Sequence, residues 1–419
     1  MAVTRQIRFG DGDVCVMVGT MKGLFLLRSR GGRRSEWELG GPHFPGHSVY
    51  GVGFDSRAGR NRLFAANHSF HWGAVLQFSD DFGRSWTAPE ASGVKFPADA
   101  GVSLKQIWQI RPGRAEEPNV LYCGVEPAAI FESKDAGESW SLVRGLHDHP
   151  HRERWEPGGG GLCLHTILPD PSDRKRMVVA ISTGGVYRTD DGGKSWRPRN
   201  QGIRAEFLPD KHPEFGQCVH KVVMHPDRPE RLFAQNHWGL YRSDNGGDSW
   251  EDIARGVPSD FGFPMAIHPH DPDTVYIVPL ESDQFRCTPE GKLRVYRTRN
   301  AGSSWHPMTR GLPQKNALET VLRDALSVDT LAPAGVYFGT RSGQVYGSRD
   351  DGDSWRLLMG GLPPIVSVRA VVIGETGKAS RKSSSGARRR KAASPRRRRP
   401  AKKAPTARRR GARKGSSRR

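Results

Sequence analysis

One octapeptide occurs six times in the chain and limits its possible folds more than any other feature. Its consensus is [ST]-x-[DN]-x-G-x-S-W, and the six copies end at Trp86, Trp140, Trp196, Trp250, Trp305 and Trp355. A degenerate seventh copy ends in Ser35-Glu-Trp37. By subtraction of their residue numbers, successive tryptophans are 49, 54, 56, 54, 55 and 50 residues apart. Such even spacing indicates a repeat architecture.

The octapeptide has the residues of a hairpin turn. The Asp or Asn side chain accepts hydrogen bonds from nearby backbone N–H groups and thereby holds the turn. The glycine supplies a positive φ at no steric cost. The tryptophan begins the next strand, and we expect its ring to pack between neighbouring sheets. The repeated aspartates are therefore predicted to be structural and not catalytic.

Each repeat is predicted to contain four short strands. In the third clean repeat these are 162–168, 176–182, 185–189 and a strand that begins at Trp196, because apolar and β-branched runs alternate there with turn residues. Four-stranded units repeated around an axis are typical of an all-β fold, the β-propeller.

The two ends of the repeat region complement each other. Residues 13–39 supply only the second, third and fourth strands of a unit, and residues 365–373, after the last octapeptide, supply the missing innermost strand. Pairing the N- and C-terminal strands closes a seven-bladed β-propeller and removes free sheet edges. The alternative is six blades with an N-terminal extra. The predicted organisation is a lead-in (1–12), the propeller (13–375) and a tail (376–419).

The positive charge of the chain is concentrated in that tail. The net charge is +21, yet residues 376–419 contain 20 of the 65 Lys and Arg residues and no acidic residue. The remaining 375 residues are nearly neutral, with 45 basic and 44 acidic side chains. A segment of Lys, Arg, Ala, Ser, Pro and Gly cannot bury a core, so disorder is expected. Because it has no aromatic residues, only phosphate contacts to nucleic acid or another polyanion are expected.

The octapeptide resembles the Asp-box, or BNR repeat, of the sialidase-like superfamily. Residues 13–373 are similar to WD40/YVTN/BNR-like repeat proteins, a group that includes both glycosyl hydrolases and proteins that only bind. The resemblance implies the propeller fold and a glycosyl hydrolase-like scaffold. Sialidases of this superfamily carry an Arg-Ile-Pro motif and an arginine triad. This sequence has no Arg-Ile-Pro, and no triad can be assigned, which argues against exo-α-sialidase activity.

Cysteines and hydropathy bear on the compartment. The five cysteines are scattered and form no CxxC pair, which favours reduced thiols over a disulfide or zinc framework. No apolar run is long enough for a transmembrane helix, and the N-terminus lacks the apolar core of a signal peptide. We therefore expect a cytoplasmic protein with no membrane partner.

Propeller geometry places any site on the face opposite the octapeptide turns. Eleven of the 15 histidines are expected on that face or in the upper channel. They are His43, His47, His68, His71, His147, His149, His151, His165, His212, His220 and His237. The four tryptophans outside the octapeptides are expected near them: Trp72, Trp108, Trp155 and Trp238. Aromatic planes and imidazoles at a propeller mouth suit a polar ligand such as a glycan. The alternative is that long loops bury these rings against one another.

Alignment of the innermost strands predicts a ring of inward side chains: Tyr50, Gln106, His165, His220, Phe263, Asp324 and Arg369. Glycoside hydrolysis usually uses two carboxyl groups, and Glu126 and Asp324 form the best candidate pair. His165 or His220 is the candidate acid/base near neutral pH. The predicted ligand-binding residues are Tyr50, His71, Trp72, Gln106, Trp108, His237, Trp238, Glu281 and Arg369.

Other motifs leave metal and cofactor binding open or unassigned. His147, His149 and His151 alternate as zinc ligands do, but they lie on a loop that contains Pro150, so no metal is assigned to them. The run Gly158–Gly161 lacks the Lys-Ser/Thr of a phosphate-binding loop, and the sequence identifies no cofactor.

Two function classes follow. The first is a glycosyl hydrolase-like propeller that binds a glycan or another small polar molecule at the channel mouth. The second is a non-catalytic binding or assembly scaffold that the basic tail anchors to nucleic acid or another polyanion.

Overall fold

Seven antiparallel sheets form a ring in the computed structural model, which describes residues 5–33, 36–88 and 93–374. The innermost strand of each sheet contacts the innermost strand of the next, and the seventh returns to the first. The all-β, seven-bladed propeller expected from the repeats is therefore confirmed. The predicted disordered tail at 376–419 lies outside the described residues.

The strands are numbered along the chain, and every blade except the second has four. Blade 1 contains β1 (Val14–Thr20), β2 (Gly23–Ser29) and β3 (Glu38–His43). Blade 2 contains β4 (Ser48–Asp55), β5 (Arg62–Ser69) and β6 (Gly73–Ser79). Blade 3 contains β7 (Gln106–Pro112), β8 (Leu121–Glu126), β9 (Ala129–Ser133) and β10 (Ser141–Leu142). Blade 4 contains β11 (Leu164–Pro169), β12 (Met177–Ile181), β13 (Gly185–Thr189) and β14 (Arg197–Pro198).

The remaining blades repeat this pattern, and the last strand returns to blade 1. Blade 5 contains β15 (Val219–His225), β16 (Arg228–Asn236), β17 (Leu240–Ser243) and β18 (Glu251–Asp252). Blade 6 contains β19 (Gly262–Ile267), β20 (Val275–Pro279), β21 (Val295–Thr298) and β22 (His306–Met308). Blade 7 contains β23 (Leu326–Val328), β24 (Val336–Gly339), β25 (Val345–Ser348) and β26 (Arg356–Met359). The final strand is β27 (Ile365–Val372). The helices are short turns at Arg30–Arg33, Arg57–Gly59, Ala98–Ala100, Arg144–His147, Pro150–Arg154 and Pro289–Gly291.

The ring closes through the two ends of the repeat region. Strand β27 pairs antiparallel with β1, from Val14↔Val372 to Thr20↔Ile365, and becomes the innermost strand of blade 1. The lead-in then runs along the outer edge of the same blade, where Arg5 and Gly41 exchange backbone hydrogen bonds. Blade 1 is thus built from both ends of the propeller, as the sequence predicted.

The octapeptides form the predicted turns. In blade 4, the backbone N–H of Ser195 donates to Asp191 Oδ1 at 3.0 Å, and the Thr189 hydroxyl donates to the same oxygen at 2.8 Å. Gly193 adopts a φ of 89° and donates its N–H to the Thr189 hydroxyl at 2.9 Å. In blade 5, the tryptophan that ends the octapeptide packs towards the preceding blade: Trp250 Nε1 donates to the carbonyl of Arg199 at 2.9 Å. The aspartates are engaged in holding the turns.

Apolar side chains fill the spaces between blades. The largest fully buried side chains include Tyr187, Tyr241, Phe131 and Phe233, each on a middle strand of its blade. Blade 2 departs from the four-strand pattern among the described residues, since its sheet has three strands and a single bridge, Phe78↔Thr87, follows the turn. No helix in the described part of the chain has the length and apolarity needed to cross a membrane.

Candidate functional site

A bulge interrupts the innermost strand of five consecutive blades at the same level. The register shifts around Tyr50, Trp108, His165 and His220, and again around Phe263. A bulge turns one side chain out of the regular alternation of the strand. The aligned ring predicted from sequence therefore needs one correction. Trp108 occupies the position equivalent to Tyr50 and His165, whereas Gln106 lies two residues earlier, where it pairs with Glu126.

His165 is engaged on both ring nitrogens. It is fully buried, its Nε2 donates to the carbonyl of Val219 in the next blade at 2.9 Å, and its Nδ1 accepts from the Thr166 hydroxyl at 3.0 Å. Burial, reinforced by the nearby Arg323 and Lys221 cations, holds the pKa of His165 well below its ordinary value. The ring is therefore neutral and joins two blades, and neither nitrogen is free to transfer a proton.

A buried arginine organises the channel beside Trp108. The guanidinium of Arg323 donates to Cys163 Sγ at 2.9 Å, and its Cζ lies 5.2 Å from the centroid of the Trp108 ring. Trp108 Nε1 donates to Glu126 Oε2 at 3.2 Å. Burial opposes the charge of Arg323, but Cys163 and Asp324 outweigh it and raise the pKa of the guanidinium. Arg323 is therefore a permanent buried cation beside the Cys163 thiol and the Asp324 carboxylate.

The two predicted catalytic carboxylates belong to different blades, and both act on the charge of the Cys163 thiol. Asp324 lies just before β23, and its Oδ1 accepts from Lys221 Nζ at 2.5 Å. Burial raises the pKa of the Cys163 thiol, Arg323 opposes that shift, and both Glu126 and Asp324 add to it. Glu126 and Asp324 thus lie within electrostatic range of the same sulfur atom. Arg369, also in the predicted set, is close enough to feel the charge of Asp324, which partly offsets the lowering of its pKa by burial.

A second cluster lies on blade 5. His220 Nδ1 donates to the carbonyl of Gly262 at 2.6 Å, and its Nε2 faces Cys218 Sγ at 3.6 Å. His237 Nε2 lies 3.5 Å from Asp283 Oδ2, and its ring centroid lies 5.4 Å from that of His220. Burial, with Arg323 nearby, holds the pKa of His220 well below its ordinary value.

Other predicted residues lie at the edge of these clusters or away from them. Tyr50 touches Trp108, with ring centroids 5.1 Å apart, and Trp238 packs on His237 at 4.2 Å. His71 and Trp72 lie on the β5–β6 hairpin, where Trp72 is 82% exposed. Glu281 is exposed in the loop after β20.

The histidines do not form a single group at the mouth. His43 is buried beside the octapeptide turn of blade 2, where Trp86 Nε1 donates to its Nδ1 at 3.4 Å. His149 Nε2 contacts the Trp196 carbonyl at 3.2 Å, and its Nδ1 accepts from the His151 backbone N–H at 3.1 Å, so neither nitrogen is free for a metal. His151 Nδ1 is bound to the Tyr187 hydroxyl at 3.0 Å. The loop with three alternating histidines therefore packs blades together.

Sequence reasoning missed several of the residues that meet in the channel. They are Cys163, Cys218, Lys221 and Arg323. The signal for Cys218 was its spacing from His220, because residues two apart on a strand share a face. Nothing local marked Arg323 or Lys221, since their partners lie 160 and 103 residues away in the chain.

A cleft of about 200 Å³ lies elsewhere, between blades 7 and 1. It is lined by Arg33, Trp37, Tyr337 and Trp355, among others, and none of the predicted site residues contributes to it.

The chain is similar to known proteins over part of their length. No family model matches the chain. The chain is similar to a probable oligoxyloglucan-reducing end-specific xyloglucanase of Neosartorya fischeri, with 23% identity over 281 residues, 60% of this chain and 33% of that protein. It is also similar to the oligoxyloglucan-reducing end-specific xyloglucanase of Emericella nidulans, with 26% identity over 216 residues, 45% of this chain and 26% of that protein. The chain thus spans a third or less of these relatives.

Solved structures with a similar arrangement are a GH74 enzyme and YCF48. An ancestral GH74 enzyme has 17% identity and a TM-score of 0.49, covering 71% of this chain and 36% of that one. YCF48 bound to D1 peptide has 14% identity and a TM-score of 0.47, covering 85% of this chain and 88% of that one.

Proposed function

We propose that this protein binds a glycan at the mouth of the central channel and acts on it as a glycosyl hydrolase-like propeller of the Asp-box, sialidase-like superfamily. The observation that carries the proposal is that Glu126, from blade 3, binds the indole of Trp108, that Arg323 lies over the same indole, and that the charges of Glu126 and of Asp324, from blade 7, both act on the Cys163 thiol. Paired carboxyl groups beside an aromatic ring form the minimum equipment for cleaving a glycosidic bond.

The two carboxylates are suited to different roles. Lys221 Nζ lies 2.5 Å from Asp324 Oδ1 and places a positive charge beside this carboxylate, so Asp324 is the candidate nucleophile or general base. Glu126 accepts only one described side-chain hydrogen bond, from Trp108, and is the candidate general acid. Retaining enzymes place such groups about 5 Å apart and inverting enzymes about 6.5–9.5 Å apart. His165, with both nitrogens engaged, is withdrawn from the acid/base role and assigned to holding blades 4 and 5 together.

The relatives support the class of ligand. Both curated relatives are named as xyloglucanases that act at the reducing end of oligoxyloglucans. A neutral oligosaccharide offers hydroxyl groups to the charged side chains of the channel and apolar sugar faces to Trp108 and Tyr50. We therefore propose a β-glucan oligosaccharide, and not a sialylated glycan, as the ligand.

The experiment is a hydrolysis and binding assay with xyloglucan oligosaccharides. Purified wild type is compared with Glu126→Gln and Asp324→Asn, and Glu251→Gln on the outer strand β18 serves as the matched control. Loss of a general acid typically lowers the rate by about 10²–10⁴-fold. The proposal fails if wild type neither binds nor cleaves the oligosaccharides, or if both channel variants match the control.

A non-catalytic binding scaffold is the second candidate. It is favoured by the fact that the channel charges already have partners: Lys221 holds Asp324, and Arg323 holds Cys163. Such a closed network can be structural. Oligosaccharide binding without cleavage, weakened by Asp324→Asn, would identify this function.

The basic tail supports a further proposal, that residues 376–419 anchor the protein to nucleic acid or another polyanion. Twenty basic side chains and no acidic ones predict sequence-independent binding with a steep salt dependence. Full-length protein and a chain ending at residue 375 are titrated onto double-stranded DNA at several salt concentrations. Equal affinities would eliminate the tail as the anchor.

A further inference from the structure

Cys218, His220 and His237 bring three metal-ligand atoms together at one end of blade 5. One ligand atom from each residue lies within 4.8 Å of the others. Within residues 5–33, 36–88 and 93–374, this is the one group of three or more such side chains that meets that separation. We propose that these three residues bind a divalent transition metal ion, with Zn²⁺ as the expected occupant. The proposal does not depend on glycan binding.

The backbone fixes the three side chains independently of any metal. The N–H of His237 donates to the Cys218 carbonyl at 2.9 Å, so these two residues face each other across neighbouring chain segments. His220 follows in the bulge between Val219↔Asn236 and Lys221↔Gln235. Cys218 directly precedes β15 and His237 directly follows β16. The site is therefore assembled at one end of the two innermost strands of blade 5.

The spacing matches a zinc site. Cys218 Sγ and His220 Nε2 are 3.6 Å apart. With Zn–S near 2.3 Å and Zn–N near 2.0–2.1 Å, tetrahedral geometry holds a sulfur and a nitrogen ligand about 3.6 Å apart. The observed separation therefore requires no movement of this pair.

Each histidine is already oriented as a metal ligand. His220 commits its Nδ1 to the carbonyl of Gly262, so the tautomer is fixed and the lone pair of Nε2 points at Cys218. His237 places its Nε2 at 3.5 Å from Asp283, which leaves Nδ1 as its ligand atom. Metal-binding histidines almost always donate their second ring N–H to a carbonyl or a carboxylate. Both arrangements occur here, one on each histidine.

The surroundings give the site a dry inner side. A bound metal displaces the thiol proton of its cysteine ligand. Phe261 and Phe263 pack on the His220 ring with centroids 5.5 and 4.7 Å away. Cys218 and His237 are only partly buried, so the remaining coordination position faces accessible space, as in zinc sites that keep a water molecule. No metal was expected at these residues from the sequence, and the proposal revises that expectation.

The test treats the full-length protein with a chelator, removes the chelator, and measures Zn²⁺ binding by titration calorimetry. Wild type is expected to bind one Zn²⁺ per chain. Cys218→Ser and His237→Gln are expected to abolish that binding, whereas the matched controls Cys287→Ser and His212→Gln retain it. The tail adds no competing ligands, because residues 376–419 contain no Cys, His, Asp or Glu. Unchanged stoichiometry and affinity in both site variants would overturn the proposal.

A cobalt substitution and an outer-shell variant keep the test decisive if a ligand variant fails to fold. Co²⁺ bound to wild type is expected to show thiolate-to-metal charge-transfer absorption, and its absence would overturn the assignment of Cys218. Asp283→Asn keeps all three ligands, so it is expected to retain that absorption while affinity falls about 10–100-fold. An unaltered affinity in Asp283→Asn would contradict the proposed orientation of His237.

Discussion

Replacing Asp191 with alanine removes the acceptor at the centre of one octapeptide turn. In the folded chain its carboxylate accepts from the backbone N–H of Lys194 and Ser195, each at 3.0 Å, and from the hydroxyl groups of Thr189 and Ser195, at 2.8 and 2.5 Å. Hydrogen bonds to a charged group contribute about 1.5–3 kcal/mol each when buried. At an exposed turn, water molecules replace part of the lost hydrogen bonding and so reduce the loss of stability. We therefore expect Asp191→Ala to lower the free energy of unfolding by about 1–3 kcal/mol.

The same carboxylate gives the effect a dependence on pH. Hydrogen bonds from Ser195 lower the pKa of Asp191 to about 2, from an ordinary value of 3.8. A lowered carboxyl pKa stabilises the fold above about pH 4, and the contribution disappears as the pH falls towards 2. The full shift corresponds to about 2.4 kcal/mol, and solvent screening at this exposed site reduces it to about 1 kcal/mol.

The chain supplies its own control in the turns that carry asparagine. Asn245 Oδ1 accepts from the Ser249 N–H at 3.0 Å, and its Nδ2 donates to the Ser249 hydroxyl at 2.9 Å. Asp191→Asn should therefore preserve the turn, with one hydrogen bond reversed and the acid dependence removed. Urea unfolding midpoints at pH 7 and pH 3 measure both effects. The reasoning is refuted if Asp191→Ala is as stable as Asp191→Asn at pH 7.

Three further perturbations follow from the fold and the channel. Burial lowers the pKa of His43 to about 4, so on acidification this histidine takes up its proton in the unfolded chain before it does so in the folded one. The free energy of unfolding should therefore fall by about 1.4 kcal/mol per pH unit between pH 6.5 and 4. In urea unfolding, His43→Gln should flatten that slope. A chain that ends at residue 364 lacks β27 and should lose cooperative unfolding, and an unchanged transition in calorimetry would contradict closure through this strand. A Cβ at Gly161 would collide with the Glu126 carboxylate at a φ of 81°, so Gly161→Ala should weaken oligosaccharide binding in calorimetry, and full affinity would exclude Glu126 from the site.

The fold was predictable because its information is local and repeated. Each turn is specified within eight residues, and the copies are spaced evenly enough to count the blades. The strands of blade 4 were predicted to within two residues of β11, β12 and β13. Blade 2 shows the limit of this reasoning, because its turn is intact while its sheet has three strands among the described residues. A turn motif specifies the hairpin entry and not the length of the strand that follows.

The site was only partly predictable because it depends on register and on distant contacts. The sequence alignment placed Gln106 in the ring of inward side chains, but the structure places Trp108 there. The bulge that does this depends on the pairing of the two strands, which amino-acid composition does not reveal. Arg323 and Lys221 acquire their roles from partners in other blades. Histidine counts misled for the opposite reason: His149 uses both ring nitrogens in packing contacts, and His43 and His151 each use one.

The bulges explain why binding groups collect in the channel at all. Innermost strands of adjacent blades belong to different sheets, so side chains must join them. In three blades, the backbone carbonyl just before the bulge accepts a hydrogen bond from a side chain of the preceding blade. Ser367 donates to Val49, His165 to Val219, and His220 to Gly262. A serine meets the requirement with its one hydroxyl, but an imidazole has a second nitrogen. His165 spends that nitrogen on Thr166, whereas His220 turns it towards Cys218. The same structural requirement therefore yields an inert histidine in blade 4 and an available ligand in blade 5.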